Sequence, residues 1–567
     1  MVTRRQLFAS CSLPLVAVTA SCSSSNGATG GPYYVSGSSG SDARGDGTRA
    51  EPWATLEPVN DLTLGPGTTV SLEGGHTYDG PLEVAHARGG DDLATPEEPI
   101  TFTSYGDDRA TINVAAGPAF DGQNLRGVRI EDLHFAGPGP EAADSSGIRL
   151  VADEPVSGSQ SPSHVVIDRV EVDGFADGIF VAGDDAHGYQ ELRIRRVEAH
   201  DNGNGIVILG DTHGTHQDVR IERCHVHHNP GRTDSESHTG NGILVNGVTD
   251  GLVEHCVAHD NGDPGWGNIG IWCYGAKRVV IQLCESYDNR SSTAQDGGGF
   301  DIDGGAVDCV IQYCYSHGND GAGYLWAQYE GASDQYGPIE GCVMRYNISE
   351  NDARANAYGA MTFWGATEAD YIDESVAYNN TLYMDGTPDG PQAAVGILND
   401  NLRNVTLRNN LLVTAGDAVA IRDEEGASAD EIRFQNNGYH TTDEPAIEWS
   451  GSAFDSVDAW LEEHSEQERV DGDRSETVGD PRLAEPGGGG RIFDGVIRYF
   501  DVTSLAAYEL TDDSPMIDAG LDPDAQFDTE YEAPSAHERA SVDFRGTPVP
   551  HGEGYDIGAC EYRGREG

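Results

Sequence analysis

Arg196-Val197-Glu198-Ala199-His200-Asp201-Asn202 returns as Arg223-Cys224-His225-Val226-His227-His228-Asn229, and that return decides the fold. The same frame gives His255-Cys256 to Asn261, Leu283-Cys284 to Asn289 and Tyr313-Cys314 to Asn319. Alternation with period two inside each stretch marks a strand rather than a helix. A second strand recurs with a small residue before a large apolar one: Gly147-Ile148, Gly178-Ile179, Gly205-Ile206, Gly242-Ile243 and Gly270-Ile271. It continues as Gly299-Phe300, Gly323-Tyr324, Ala360-Met361, Gly396-Ile397 and Ala420-Ile421. Successive starts lie from 24 residues apart (Gly299 to Gly323) to 37 (Gly205 to Gly242). A repeat of that length is one coil of a solenoid, because a single unit cannot bury its own apolar face.

Three columns follow from stacking the coils. Asn202, Asn229, Asn261, Asn289, Asn319 and Asn351 fall in register at a polar corner, where a side-chain amide can bond both backbone and the next asparagine. Cys224, Cys256, Cys284 and Cys314 point inward by parity and are expected as buried free thiols, so the ten cysteines do not read as a disulfide framework. His200, His227, His259, Tyr287 and His317 form a third column, a stacking ladder or a row able to hold a transition metal.

Composition sets the surroundings. The 567 residues carry 95 acidic against 34 basic groups, net charge −61, with Lys277 the single lysine. Such a chain repels nucleic acid and anionic membrane surfaces. Acid spread along the whole length suits a solvated surface in concentrated salt, as in a halophile. The 74 glycines without a Gly-X-Y period fit a turn-rich β protein. Thr3-Arg4-Arg5-Gln6-Leu7-Phe8 resembles a twin-arginine signal, the stretch Leu13 to Ala20 is apolar, and Thr19-Ala20-Ser21-Cys22 resembles a lipobox with Cys22 lipidated. The expectation is an extracellular or cell-surface monomer, touching a membrane only through that anchor.

The repeats resemble the parallel β-helix repeats of the pectate-lyase-like superfamily. Tyr33-Tyr34-Val35-Ser36-Gly37 through Gly45-Asp46-Gly47-Thr48, then Pro52-Trp53-Ala54-Thr55-Leu56, resembles the start of many β-helix polysaccharide lyases and hydrolases. Ser514-Pro515-Met516-Ile517-Asp518-Ala519-Gly520 and Asp556-Ile557-Gly558-Ala559-Cys560-Glu561 resemble a C-terminal segment of secreted β-helix proteins. The resemblance implies an all-β, right-handed, single-stranded parallel β-helix of about ten coils. Its expected parts are a signal (1–22), a flexible linker (23–32), an N-terminal lead-in and cap with a short helix near Trp53 to Asn60 (33–115), the coil stack (116–449) and a C-terminal cap along its side (450–567). It also implies a polysaccharide partner, while one fold hosts many activities.

Chemistry is read from the outward positions of the glycine-led strand: Trp272/Tyr274, Asp301/Asp303, Leu325/Ala327, Thr362/Trp364 and Leu398/Asp400 on successive coils. Parity places them at solvent. In Asp296-Gly297-Gly298-Gly299-Phe300-Asp301-Ile302-Asp303, two carboxylates two residues apart share a face at about 6.6–6.8 Å. Glycosidases work with such pairs. Asp301, Asp303 and Asp320 are the expected catalytic acids, and Trp272, Tyr274, Lys277, Trp364 and Asp400 the expected glycan contacts. Asp296, Asp301 and Asp303 form an alternative calcium set. Lyases of the superfamily pair calcium with a basic residue, for which Lys277 and Arg278 stand near, but no run matches the lyase or polygalacturonase motifs. The readings are a hydrolase or lyase, a non-catalytic glycan-binding or structural protein, or a uronate epimerase. Asn347-Ile348-Ser349, Asn379-Asn380-Thr381 and Asn404-Val405-Thr406 match the glycosylation triplet.

Overall fold

The computed structural model describes residues 31–84, 94–143, 145–156, 161–233, 235, 238–293, 295–386, 392–399, 401–493, 502–523 and 540–564. Cys22 and the export segment lie outside these residues, as does Asp400. Each coil runs through three sheets. Sheet A is represented by His216–Glu222, sheet B by His225–His227 and sheet C by Ile243–Asn246. Each sheet holds 14 strands, parallel except for the closing Ile447–Trp449/Ser452–Phe454 pair. No described helix is long and apolar enough to cross a membrane.

Inward positions stack in register. Ile221, Val253, Ile281 and Ile311 line sheet A, and Ile208, Val245, Cys273 and Ile302 line sheet C. These residues are essentially fully buried in one continuous core. Cys224, Cys256, Cys284 and Cys314 are free and buried in the same core, as parity required. The coils begin earlier than the repeat indicated. Thr69–Glu73 pairs with Ile100–Tyr105, which pairs with Arg126–Glu131, so much of the 33–115 lead-in is already solenoid. Its strands lack the Gly-Ile and Asn marks of later coils, which hid them.

Two corners turn each coil. Between sheets A and B, Arg169, Arg196, Arg223, His255, Leu283, Tyr313 and Tyr346 each take a left-handed φ of 50–55°. That conformation costs an L-residue roughly 1–2 kcal/mol, which the stacked strands on both sides offset. Between sheets B and C the left-handed residue is Asp201, His228, Asp260, Asp288, Gly318 or Asn351, immediately before the ladder position. The ladder itself runs from Asn202 Nδ2 to Asn229 Oδ1 (3.1 Å), then to Asn261 (2.9 Å), Asn289 (3.0 Å), Asn319 (2.9 Å) and Asp352 (2.7 Å). Asp352, not Asn351, is therefore the sixth rung. The last rung only accepts, so a carboxylate serves there, while Asn351 takes the strained φ that asparagine tolerates.

A second ladder passes from Asn347 to Asn380 (3.0 Å), Asn410 (2.8 Å) and Asn437 (3.0 Å), and ends on Glu468 (2.8 Å). Asn347 and Asn379 are fully buried, so neither triplet is available to a glycan; Asn404 is exposed. The solenoid's C-terminal end is closed by the helix Val457–Glu463, whose Ser456 side chain accepts from Ala459 N at 3.1 Å and whose Trp460 packs on Trp449 at 5.2 Å. Helix Glu57–Asn60 supplies Val59, with Trp53 and Leu56 just before it, to the other end. Closing both ends removes exposed sheet edges.

Candidate active site

The outward register of sheet C is as expected through its centre. Trp272 pairs with Asp301, Asp301 with Leu325 and Leu325 with Thr362. Beside them run Asn246, Tyr274, Asp303, Ala327 and Trp364. One coil on, the register slips from the sequence reading: Thr362 pairs with Gly396, so Leu398 continues Trp364's column. Ala394-Val395, not Gly396-Ile397, occupies the template position, because Val395 and not Ile397 pairs with Ile421.

Exposure differs from the sequence reading. Trp272 is 2% exposed, Tyr274 5%, Asp301 0% and Asp303 1%. Outward is not open here, because a roof covers the face. Val207, Leu244, Trp272, Tyr274, Leu325 and Ala327 form a second apolar cluster outside the solenoid. Phe180, Leu209, Tyr329, Tyr336, Tyr358 and Trp364 pack around it, each half-buried.

Two excursions build the roof. One leaves sheet C after Gln328 and carries the helix Ala332–Gln335. Gln328, fully buried, holds it: Oε1 accepts from Gly305 N at 2.8 Å, and Nε2 donates to Ser333 Oγ at 2.9 Å and Gly337 O at 3.0 Å. Asp370 accepts from Gly331 N and Ser333 N, both at 3.0 Å. Burial works against its ionisation, but these donors and Thr367 outweigh it and hold its pKa below the usual range. Gly304 makes room, since a Cβ there would lie 2.2 Å from Tyr329 Cε1. The other excursion, between Leu209 and His216, brings His213 to Gly305 O at 2.7 Å and its ring to 5.7 Å from that of Tyr336. Tyr336 then meets Tyr274 edge-on at 6.1 Å.

Under this roof the polar groups are few. Asp303 Oδ1 accepts from Gly304 N at 2.6 Å. Burial, then the neighbouring Tyr336, Tyr329 and Asp303, hold the Tyr274 hydroxyl well above its ordinary pKa, so it stays a proton donor. Trp272 Nε1 donates to Asn241 Oδ1 at 3.1 Å, which fixes the indole beside Asp301. Two carboxylates in an aromatic, largely water-excluded setting can act as acid and base toward one bond.

The remaining expected residues fall elsewhere. Asp296 and Asp320 sit at the corner that leads into sheet C. Asp296 Oδ1 is 3.4 Å from the Tyr358 hydroxyl, and Asp320 accepts from Ser291 N at 3.2 Å and Arg290 at 3.3 Å. Burial raises the Asp320 pKa despite Arg290. Asp296, five residues before Asp301, is separated from the strand pair, and these three acids are not among the described groups whose ligand atoms gather within 4.8 Å. Lys277 and Arg278 belong to the sheet A strand Lys277–Gln282, where Arg278 pairs with Asp250 at 2.6 Å. Neither is on the acid-bearing face. Trp364 stands at the rim. The long insertions after Gly210 and Gly331 stand out from the repeat as candidate walls of a cleft, but the individual residues Gln328, Tyr329, Tyr336 and Asp370 carry no periodic mark; the Gly304-Gly305 pair signals the close approach.

Sheet B also has a loaded outer face. His200, His227, His259, Tyr287 and His317 stack with ring centroids 5.2, 5.1, 4.6 and 4.7 Å apart and planes within 12°. The C-terminal segment lies over it. Ile492 N and Phe493 N donate to the two Glu285 oxygens at 2.9 Å each, and Gly489 N and the Tyr508 hydroxyl to Glu350 Oε2 at 3.0 and 2.6 Å.

Residues 156–333 match the family described as right handed beta helix region. The match covers less than a third of the chain, and the three stacked parallel sheets give the all-β solenoid, a parallel β-helix, that the repeats implied. A curated relative, lacto-N-biosidase of Bifidobacterium longum subsp. longum, is 28% identical over 148 residues, which is 25% of this chain and 8% of that protein. The chain thus spans less than a tenth of that relative's length. Among solved structures, the GH136 lacto-N-biosidase of Eubacterium ramulus aligns at 17% identity and TM-score 0.44, over 72% of this chain and 68% of that one. XylC in complex with xylose aligns at 11% and 0.45, over 93% and 98%. The A-module of an Azotobacter vinelandii mannuronan C-5 epimerase aligns at 16% and 0.40, over 66% and 91%.

Proposed function

We propose that this protein is a carbohydrate-active enzyme that hydrolyses a glycosidic bond on the outer face of sheet C. The observation that carries the reading is the Asp301/Asp303 pair, two residues apart on one strand, set beside Trp272 and Tyr274 under a roof of Tyr329 and Tyr336. In this reading Asp303, which accepts from Gly304 N, is the base or nucleophile, and Asp301, between Trp272 and Leu325 in register, donates the proton to the leaving oxygen. Tyr274 supplies a hydroxyl donor, and the half-buried Trp364 and Tyr358 offer flat faces to sugar rings at the rim. The curated relative's name, lacto-N-biosidase, supports hydrolysis. Elimination or epimerisation is less supported, because Lys277 and Arg278 stand on another sheet. The complete burial of both acids favours one second reading, a glycan-binding surface without turnover. Export by a twin-arginine signal, attachment through Cys22, a monomeric state, a saline habitat and calcium at Asp296, Asp301 or Asp303 belong to the same proposal.

The test is product release from neutral and uronate glycans in concentrated salt, with and without calcium, for wild type, Asp301→Asn and Asp303→Asn. The reading expects new reducing ends without an absorbing double bond, reduced about 10²–10⁴-fold in each variant. Unsaturated ends that require calcium would make the protein a lyase. Binding without product from any glycan would establish the second reading.

A further inference from the structure

The outer face of sheet B carries a feature that glycan chemistry does not use. His225 and His227 are two apart on one strand and so share its outward side, and His259 on the next coil lies directly opposite His227. Ring centroids are 3.9 Å apart for His225 and His227, 5.0 Å for His225 and His259, and 5.1 Å for His227 and His259. One nitrogen from each ring lies within 4.8 Å of the other two. His225 Nε2 approaches His259 Nε2 at 2.7 Å. Two ring nitrogens that close cannot both carry a proton, so at least one lone pair points into the space between the rings.

We propose that His225, His227 and His259 form a binding site for a divalent transition ion of the zinc class, independent of any reaction on sheet C. The surroundings are those such a site needs. His259 Nδ1 lies 2.8 Å from Asp260 Oδ2, so the Nδ1–H donates to the carboxylate and Nε2 is left with its lone pair. A carboxylate behind a ligating imidazole is the usual means of fixing its tautomer and raising its basicity. Glu198 Oε1 stands 3.4 Å from His227 Nε2 and 3.8 Å from His225 Nδ1, so a carboxylate or a water it holds can complete four ligands. Phe493, from the C-terminal segment, lies over His225 with centroids 4.3 Å apart and excludes water from that side. The open side is His227, half-buried, next to exposed His228.

Size and softness choose the ion. Zinc–nitrogen bonds of about 2.0–2.1 Å at a tetrahedral angle put ligand nitrogens about 3.3 Å apart. The His225–His259 pair must open slightly from 2.7 Å and the third ring move in, both by side-chain rotation. Imidazole donors suit zinc, cobalt, nickel and copper, whereas calcium and magnesium want oxygen. A bound ion would tie two coils together beneath Phe493, and so fasten the C-terminal segment to the solenoid.

The experiment uses untagged full-length protein stripped with chelator and titrated with Co²⁺, read by its visible ligand-field bands, then challenged with Zn²⁺. The proposal expects one equivalent with nitrogen-type tetrahedral bands, displaced by zinc, and a zinc-dependent rise in melting temperature. His225→Ala and His259→Ala should abolish the bands, and Asp260→Asn should weaken binding about 10–100-fold. His134→Ala is the control, because His134, Glu171 and Asp173 form a separate cluster on the same face. Should a histidine variant fail to fold, His225→Gln repeats the test with similar bulk. No band in wild type, bands that survive His225→Ala, or bands lost in His134→Ala would overturn the proposal.

Discussion

Sheets B and C are cut from the same coils, yet their outer faces have little in common. Inward, both follow one rule: Val226 and Ala258 in sheet B, like Ile208 and Val245 in sheet C, fill a single core. Outward, sheet C shows Leu244, Trp272, Asp301 and Leu325, and sheet B shows His227, His259, Tyr287 and His317. Their roofs differ in origin as well. Sheet C is covered by excursions of its own coils, held by Gln328 and Asp370 within 39 residues. Sheet B is covered by a segment 208 residues further along the chain, at Phe493. Packing fixes the inward positions, while the outward ones are free to carry separate chemistry on each face. A roof supplied by its own coil is part of the solenoid, whereas one supplied from afar can detach on its own.

The comparison can be broken most forcefully at the acids. Asp301→Asn should cut glycan cleavage about 10²–10⁴-fold while Co²⁺ binding on sheet B is unchanged, as seen by product assay and spectrophotometry. Next comes the local roof. Gln328→Ala removes three hydrogen bonds, one buried and two partly buried, and should cost about 2–4 kcal/mol. Hydrogen exchange should rise at 329–338 together with a lower melting temperature, because that roof and the solenoid are one unit.

The corner between the two faces supplies a pH test. Burial, against the hydrogen bonds from Ser349 and Asn319, raises Asp352 to about 6 from 3.8. The folded state therefore holds this proton more tightly than the unfolded chain. The stability it adds is full below pH 3.8 and is lost as pH rises through about 6. Asp352→Asn should leave melting unchanged near pH 3.5 and raise stability by up to about 3 kcal/mol at pH 7. A flat difference across that range would remove the ladder's acid end from the account.

The smallest effect is expected at the distant roof. Glu350→Gln weakens the acceptor for Gly489 N and Tyr508 and should cost about 1–2 kcal/mol. Exchange should rise across 483–493 and 502–510 with almost no change in the coils, in contrast to Gln328→Ala.

What the sequence revealed follows the same division. Inward positions obey a period of two and were legible, including the thiol column at Cys224, Cys256, Cys284 and Cys314. The first ladder was legible as far as Asn319. Its sixth rung was misplaced by one residue, since hydrogen-bond acceptance rather than residue type defines a last rung, and Asp352 accepts as well as asparagine. The second ladder was hidden in Asn379-Asn380, Asn409-Asn410 and Asn436-Asn437, where spacing alone does not say which asparagine faces inward. The left-handed corners left no trace, because arginine, histidine, leucine and tyrosine all occupy them. Asp301 and Asp303 were found by parity, but their burial was not, because the excursions that cover them repeat nothing. On sheet B the column through His227 and His259 was legible. The contribution of His225 needed the fold, and that of Phe493 needed the path of a chain 208 residues away.

The most direct measurement runs one glycan assay beside one Co²⁺ titration on wild type, Asp303→Asn and His225→Ala, with melting curves to establish that all three fold. If the two faces carry separate chemistry, Asp303→Asn loses cleavage at least about 100-fold and keeps the cobalt bands, while His225→Ala loses the bands and keeps cleavage. Cleavage that persists in Asp303→Asn, or both properties lost together in either folded variant, would contradict the account.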